Sequence, residues 1–133
     1  MADRASAEPA DPSDFGVAWH RLGGASRRGA EAPALVAVAI LAEDEKVERV
    51  LVGRFRAERA VMVLTTHGLL IVNGREWAPE IVVVTDIGSF DIEGWIDGRV
   101  ATIRLTGGAE AHVFDSIRDT EIAAEMTAAL RER

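Results

Sequence analysis

The chain has 133 residues, a formal net charge of −7, a pI near 4.9 and no cysteine. That length holds one domain with a core large enough to fold unaided, and without cysteine there are no disulfides, thiolate metal sites or cysteine nucleophile. The negative charge argues against general attraction to nucleic acid or to an anionic membrane, because both require a positive field.

Residues 1–32 are rich in Ala, Asp, Glu, Arg, Gly, Pro and Ser and poor in large apolar side chains, so they are expected to be largely flexible tail. Within them, residues 14–22 form a short amphipathic segment. Phe15, Ala18, Trp19 and Leu22 share one helical face there, behind Ser13 as a cap and ahead of Gly23-Gly24 as a stop. That face docks on the domain's own surface or on a partner. Residues 1–14 lack the basic-then-apolar order of a secretory signal. The most apolar run, residues 33–42, is about half the roughly 20 residues a spanning helix needs. A soluble, cytoplasmic protein with a folded domain over residues 33–133 is the expectation.

Residues 35–45 read as a helix of about three turns, with Leu35, Val38, Ala39 and Ala42 on one side. Val36, Val38 and Ile40 also permit a strand, and helix is the preferred reading. From residue 47 short strands alternate with turn residues. Over residues 47–57, Leu51 and Phe55 point inward while Arg54 and Arg56 point outward by the period of two. Residues 60–72 hold two uncharged apolar runs around Thr66, His67 and Gly68, the pattern of a buried hairpin. Asn73-Gly74 ends it, and residues 75–80, with Trp77 and Pro79, form a loop. Further strands are expected over residues 81–85, 87–93, 99–106 and 110–114, with hairpin signals at Asp97-Gly98 and Gly107-Gly108. Ile122, Ala123, Met126, Ala129 and Leu130 then recur at helical spacing, with Ser116 and Asp119 as start signals.

No catalytic constellation emerges. His20, His67 and His112 are too scattered for a metal site, Ser89 lacks a nucleophile elbow, and no glycine run has phosphate-loop spacing. Asp91, Glu93 and Asp97 lack the ligand spacing and closing glutamate of a calcium loop. Neither a cofactor nor a metal is implied.

Seven short antiparallel strands closed by a C-terminal amphipathic helix resemble the pleckstrin-homology (PH) superfold, in particular the small bacterial PH-like domains related to GRAM domains. The local likeness lies in Val61-Met62-Val63-Leu64-Thr65 followed by Leu69-Leu70-Ile71-Val72, in Thr85-Asp86-Ile87-Gly88-Ser89, and in Glu43-Asp44-Glu45-Lys46-Val47. It covers about residues 35–131. The resemblance implies a mainly β (α+β) fold: a seven-stranded, partly open antiparallel barrel with a C-terminal capping helix, here with an added N-terminal helix. It also implies binding in preference to catalysis, while fold alone assigns no ligand.

PH domains that bind phosphoinositides use basic residues flanking the first hairpin loop, and Arg54, Arg56 and Arg59 stand at the matching place. Arginine suits bidentate phosphate contacts. Against this, Glu48 and Glu58 lie close by, and edge strands carry charge simply to prevent aggregation. Trp77 in its loop, Trp95 near the Asp97-Gly98 turn and Trp19 are the interface candidates: each ring either folds over the domain or is offered to a partner. The leading expectation is a non-catalytic module that binds protein or peptide, a second copy included. A peripheral membrane module using the three arginines comes second, and a small-ligand or enzymatic barrel third.

Overall fold

A computed structural model describes residues 12–133. Three helices come first: α1 (Pro12–His20), α2 (Gly24–Arg27) and α3 (Glu31–Ala39). They are followed by β1 (Val47–Phe55), β2 (Glu58–Thr65), β3 (Leu69–Asn73), β4 (Ile81–Val84), a 3-10 turn (Ile87–Ser89), β5 (Asp91–Asp97), β6 (Val100–Gly107), β7 (Glu110–Ile117) and α4 (Thr120–Arg131). The strands form one antiparallel sheet in the order β4-β3-β2-β1-β7-β6-β5, so β4 and β5 are its edges. Seven strands and a closing helix therefore stand as expected, in a mostly β fold whose sheet is open. No helix among the described residues is long and apolar enough to cross a membrane.

The register explains why β1, β2 and β3 are so apolar. Leu51, Phe55, Met62, Leu64 and Ile71 share the inner face with Ile103, Leu105 and Phe114, and α4 closes this core with Ile122, Met126 and Leu130. Val50, Val52, Val61, Val63, Leu70 and Val72 occupy the opposite face, and they are buried as well. What buries them is the N-terminal region: α1 packs on β1, and α3 packs on β2 and β3. Strands covered on both faces read as continuous apolar runs and not as alternation.

Residues 1–11 of the expected tail lie outside the described residues, but residues 12–32 carry α1, α2 and the start of α3 with short turns between them, and contribute Phe15, Ala18, Leu22 and Ala30 to the core. Helix α1 begins at Pro12, so Ser13 falls inside its first turn and is not its cap. Helix α3 begins and ends earlier than residues 35–45. Pro33 sits in its first turn, where a missing N–H breaks no helical bond, and its side chain packs against Gly74.

Two local corrections concern turns. Ile87–Ser89 is a 3-10 turn instead of the start of a strand, because Ser89 Oγ donates to the Asp86 carbonyl and carboxylate. Ser116 does not start a helix. It has φ 58° in β7, where three steps of chain from Phe114 to Ile117 oppose two from Ile103 to Ala101, a bulge that bends the strand. Gly53 faces this bend and is obligatory there, since a Cβ would lie 2.4 Å from the Asp115 carbonyl oxygen.

Candidate functional site

Strands β1 and β2 are joined by the two-residue turn Arg56-Ala57, in which both residues have positive φ (54° and 69°). This gives the three arginines different fates. Arg54 and Arg59 are direct cross-strand partners on the outer face, with Asp115 of β7 on the other side of Arg54. Arg54 Nη2 donates to the Ala57 carbonyl at 2.6 Å, and the Arg59 guanidinium lies beside Gly29 at the end of α2. Arg56 turns away from both. Its Nη1 donates to Glu80 Oε2 at 2.9 Å, and its guanidinium covers the Phe55 ring at 4.7 Å. Hydrogen bonds from Asn73 and then Arg56 hold the Glu80 carboxyl below its usual range.

The tryptophans also separate. Trp19 stacks on Phe15 with ring centroids 5.7 Å apart and packs against the core. Trp77 is 90% exposed on the loop between β3 and β4. That loop is fixed by Asn73, which is fully buried and uses all its hydrogen-bonding capacity. Its amide donates to the Phe55 carbonyl and to Glu80 Oε1, and its oxygen accepts from the Glu80 and Arg75 amides. Trp95 lies within β5 on the outer face, 44% exposed and under the Arg104 guanidinium, which is itself paired with Glu93.

The histidines fall in three places. His20 Nδ1 lies 2.8 Å from the Gly16 carbonyl, His67 sits near Asp44 and Glu45, and His112 is buried between Phe55 and Phe90.

A mainly apolar opening borders α4. A groove of about 350 Å³ runs between this helix and the ends of β5 and β6, lined by Ile96, Ala101, Ile103, Ala123, Ala124 and Thr127. Helix and strand touch at Gly94, where a Cβ would meet Thr127 Oγ1 at 2.6 Å. Beyond this contact Ile96 is left 60% exposed on the inner face. The β5–β6 turn is a two-residue hairpin closed by Asp97 and Val100, with Gly98 at φ 68°. The closing pair of such a hairpin is hydrogen-bonded and the pattern alternates, so Asp91, Glu93, Trp95 and Asp97 bond to β6. Ile92, Gly94 and Ile96 therefore turn their N–H and C=O groups to the free edge. Arg131 Nε caps the first of these carbonyls, Ile92, at 3.1 Å, while Gly94 and Ile96 continue the edge beside the groove.

Arg54 lies on the outer face as expected, but β1 ends at Phe55 and Arg56 falls in the positive-φ turn, so the two do not share a face, and Ile96 was not among the expected site residues. The alternation of Ile92, Gly94 and Ile96 was a readable signal of one strand face, yet Ile96 is uncovered because α4 crosses at Gly94 and leaves the strand end bare. Comparison with family models, with curated proteins and with solved structures finds no match for this chain.

Proposed function

We propose that this chain is a non-catalytic, PH-like interaction module that binds an extended segment of protein or peptide in the groove between α4 and β5. The observation that carries this reading is the coincidence, at Gly94 and Ile96, of outward-facing backbone groups with an apolar groove and a half-bare isoleucine. A strand laid along this edge gains main-chain hydrogen bonds, and alternate side chains of the strand enter the groove. Covering the exposed part of Ile96 contributes about 1–2 kcal/mol. Support for the PH-like architecture comes from the element order, seven antiparallel strands and then a helix that packs across the inner face. The lipid reading ranks second because Arg56 is engaged by Glu80 and Arg54 by the Ala57 carbonyl.

Selection of random-sequence peptides on the full chain, followed by titration calorimetry of those enriched, tests the proposal. Enriched peptides should bind the parent and lose at least about tenfold in affinity to Ile96→Asp, while Trp77→Ala leaves them unaffected. Peptides that bind Ile96→Asp as well as the parent, or no enrichment at all, would overturn it.

A further inference from the structure

The open side of the sheet holds a second cleft of different chemistry, about 650 Å³ in volume. That is within the range of about 300–1,000 Å³ typical of ligand pockets. One wall is β4, and the other is the end of the β6–β7 hairpin at Gly107, Gly108 and Glu110. All four consecutive residues of Ile81–Val84 line it. A cleft over one face of a strand meets alternate residues, so lining by consecutive ones puts this cleft along the strand's free edge.

The pairing shows which backbone groups that edge offers. Asn73 N–H donates to the Glu80 carbonyl, so the alternation gives Val82 and Val84 to β3 and turns the N–H and C=O of Ile81 and Val83 outward. Edge strands are ordinarily guarded by charge, proline or a bulge. The four residues of β4 carry no charge and no proline, and Val83 is 64% exposed.

The remaining lining carries two carboxylates and no lysine or arginine: Asp86 follows β4 and Glu110 begins β7. His112, 8% exposed, also lines the cleft, with Nε2 3.5 Å from Glu110 Oε1 and an Nδ1 that has no hydrogen-bond partner among the described residues. Unsatisfied buried polar groups are rare and call for a partner.

We infer that this seam binds an extended basic segment of a partner protein, added to β4 as an eighth strand beyond the seven of the sheet. Its backbone pairs with Ile81 and Val83, and its lysine or arginine side chains lie between Asp86 and Glu110. This site is separate from the α4–β5 groove and stands without it.

The test uses the full chain and two synthetic peptides of equal length, one alternating valine with lysine and the other valine with glutamate. The lysine peptide should bind and shift the Ile81 and Val83 amide resonances, while the glutamate peptide should bind at least about tenfold more weakly. Asp86→Asn combined with Glu110→Gln should remove that preference. Val83→Pro should abolish binding, since it deletes an outward N–H and no ladder bond. If Val83→Pro fails to fold, the carboxamide double variant decides alone. Ile96→Asp, which disables the α4–β5 groove, should leave lysine-peptide binding unchanged. Equal affinity for the two peptides, no binding of either, or resonance shifts confined to Gly94 and Ile96 would overturn the inference.

Discussion

At Gly53 the chain has no room for a side chain. The atom a Cβ would strike is the Asp115 carbonyl oxygen, which is backbone and cannot swing aside, and the Phe114 ring and Ile117 close the remaining space. Gly53→Ala is accordingly expected to lower stability by about 2 kcal/mol or more, the scale of overpacking in a tight core. Ala57 presents the opposite case, a residue with a Cβ at φ 69° in the second position of a two-residue turn. Ala57→Gly relieves that strain and should raise stability by about 1 kcal/mol. Urea unfolding of the two variants beside the parent measures both signs in one series. Asn73 shows how a residue type misleads when taken alone. Asn-Gly signals a turn, and a turn does follow, but the side chain is buried and organises the loop that carries Trp77 through four hydrogen bonds.

Among the elements, α1 is held from an unexpected quarter. Just beyond its last residue, Arg21 makes a bidentate pair with Glu125 of α4 at 2.9 Å, and Arg49 of β1 approaches the same carboxylate at 3.6 Å. Close by, Asp119 accepts the Gly23 N–H and so joins α2 to the start of α4 instead of capping its own helix. The Arg21 hydrogen bond holds the Glu125 carboxyl below the ordinary glutamate range. Since the unfolded chain lacks that partner, the contribution is fully present at neutral pH and is lost as pH falls through the depressed folded-state value. Glu125→Gln should therefore lower stability at neutral pH by no more than about 1 kcal/mol, as befits a solvent-exposed pair. The gap to the parent should close on acidification, as followed by thermal unfolding across the acid range. The amphipathic face of this helix was readable from Phe15, Ala18, Trp19 and Leu22. Its tether was not, because Arg21 and Glu125 are 104 residues apart and nothing in local spacing links them.

For the molecule as a whole, the N-terminal helices are a layer of the fold. Six apolar side chains, Val50, Val52, Val61, Val63, Leu70 and Val72, are buried under α1 and α3 on the outer face. A chain that starts at residue 42 should expose them as one patch, well above what soluble monomers tolerate, and aggregate. Soluble yield and light scattering against the full chain check this. The uninterrupted apolar runs of β2 and β3 told in sequence that both faces are covered. The cover that α3 gives β2 and β3 was harder to read, because Ala30, Pro33, Ala34 and Ala37 are the residues buried there. Small side chains let a helix approach closely while adding little hydrophobic signal. The edges at Ile96 and Val83 depend on where α4 and α3 stop, which is a tertiary property. One further consequence follows from the way the sheet is joined. Strands β1 and β7 share two register pairs, Arg54 with Asp115 and Phe55 with Phe114, beside the bulge at Ser116. Backbone pairing between the two halves of the sheet is therefore short, and the spacing of β4 from the β6–β7 hairpin rests on side chains: Leu51, Met62 and Ile71 share one buried cluster with Ile103, Leu105 and Phe114.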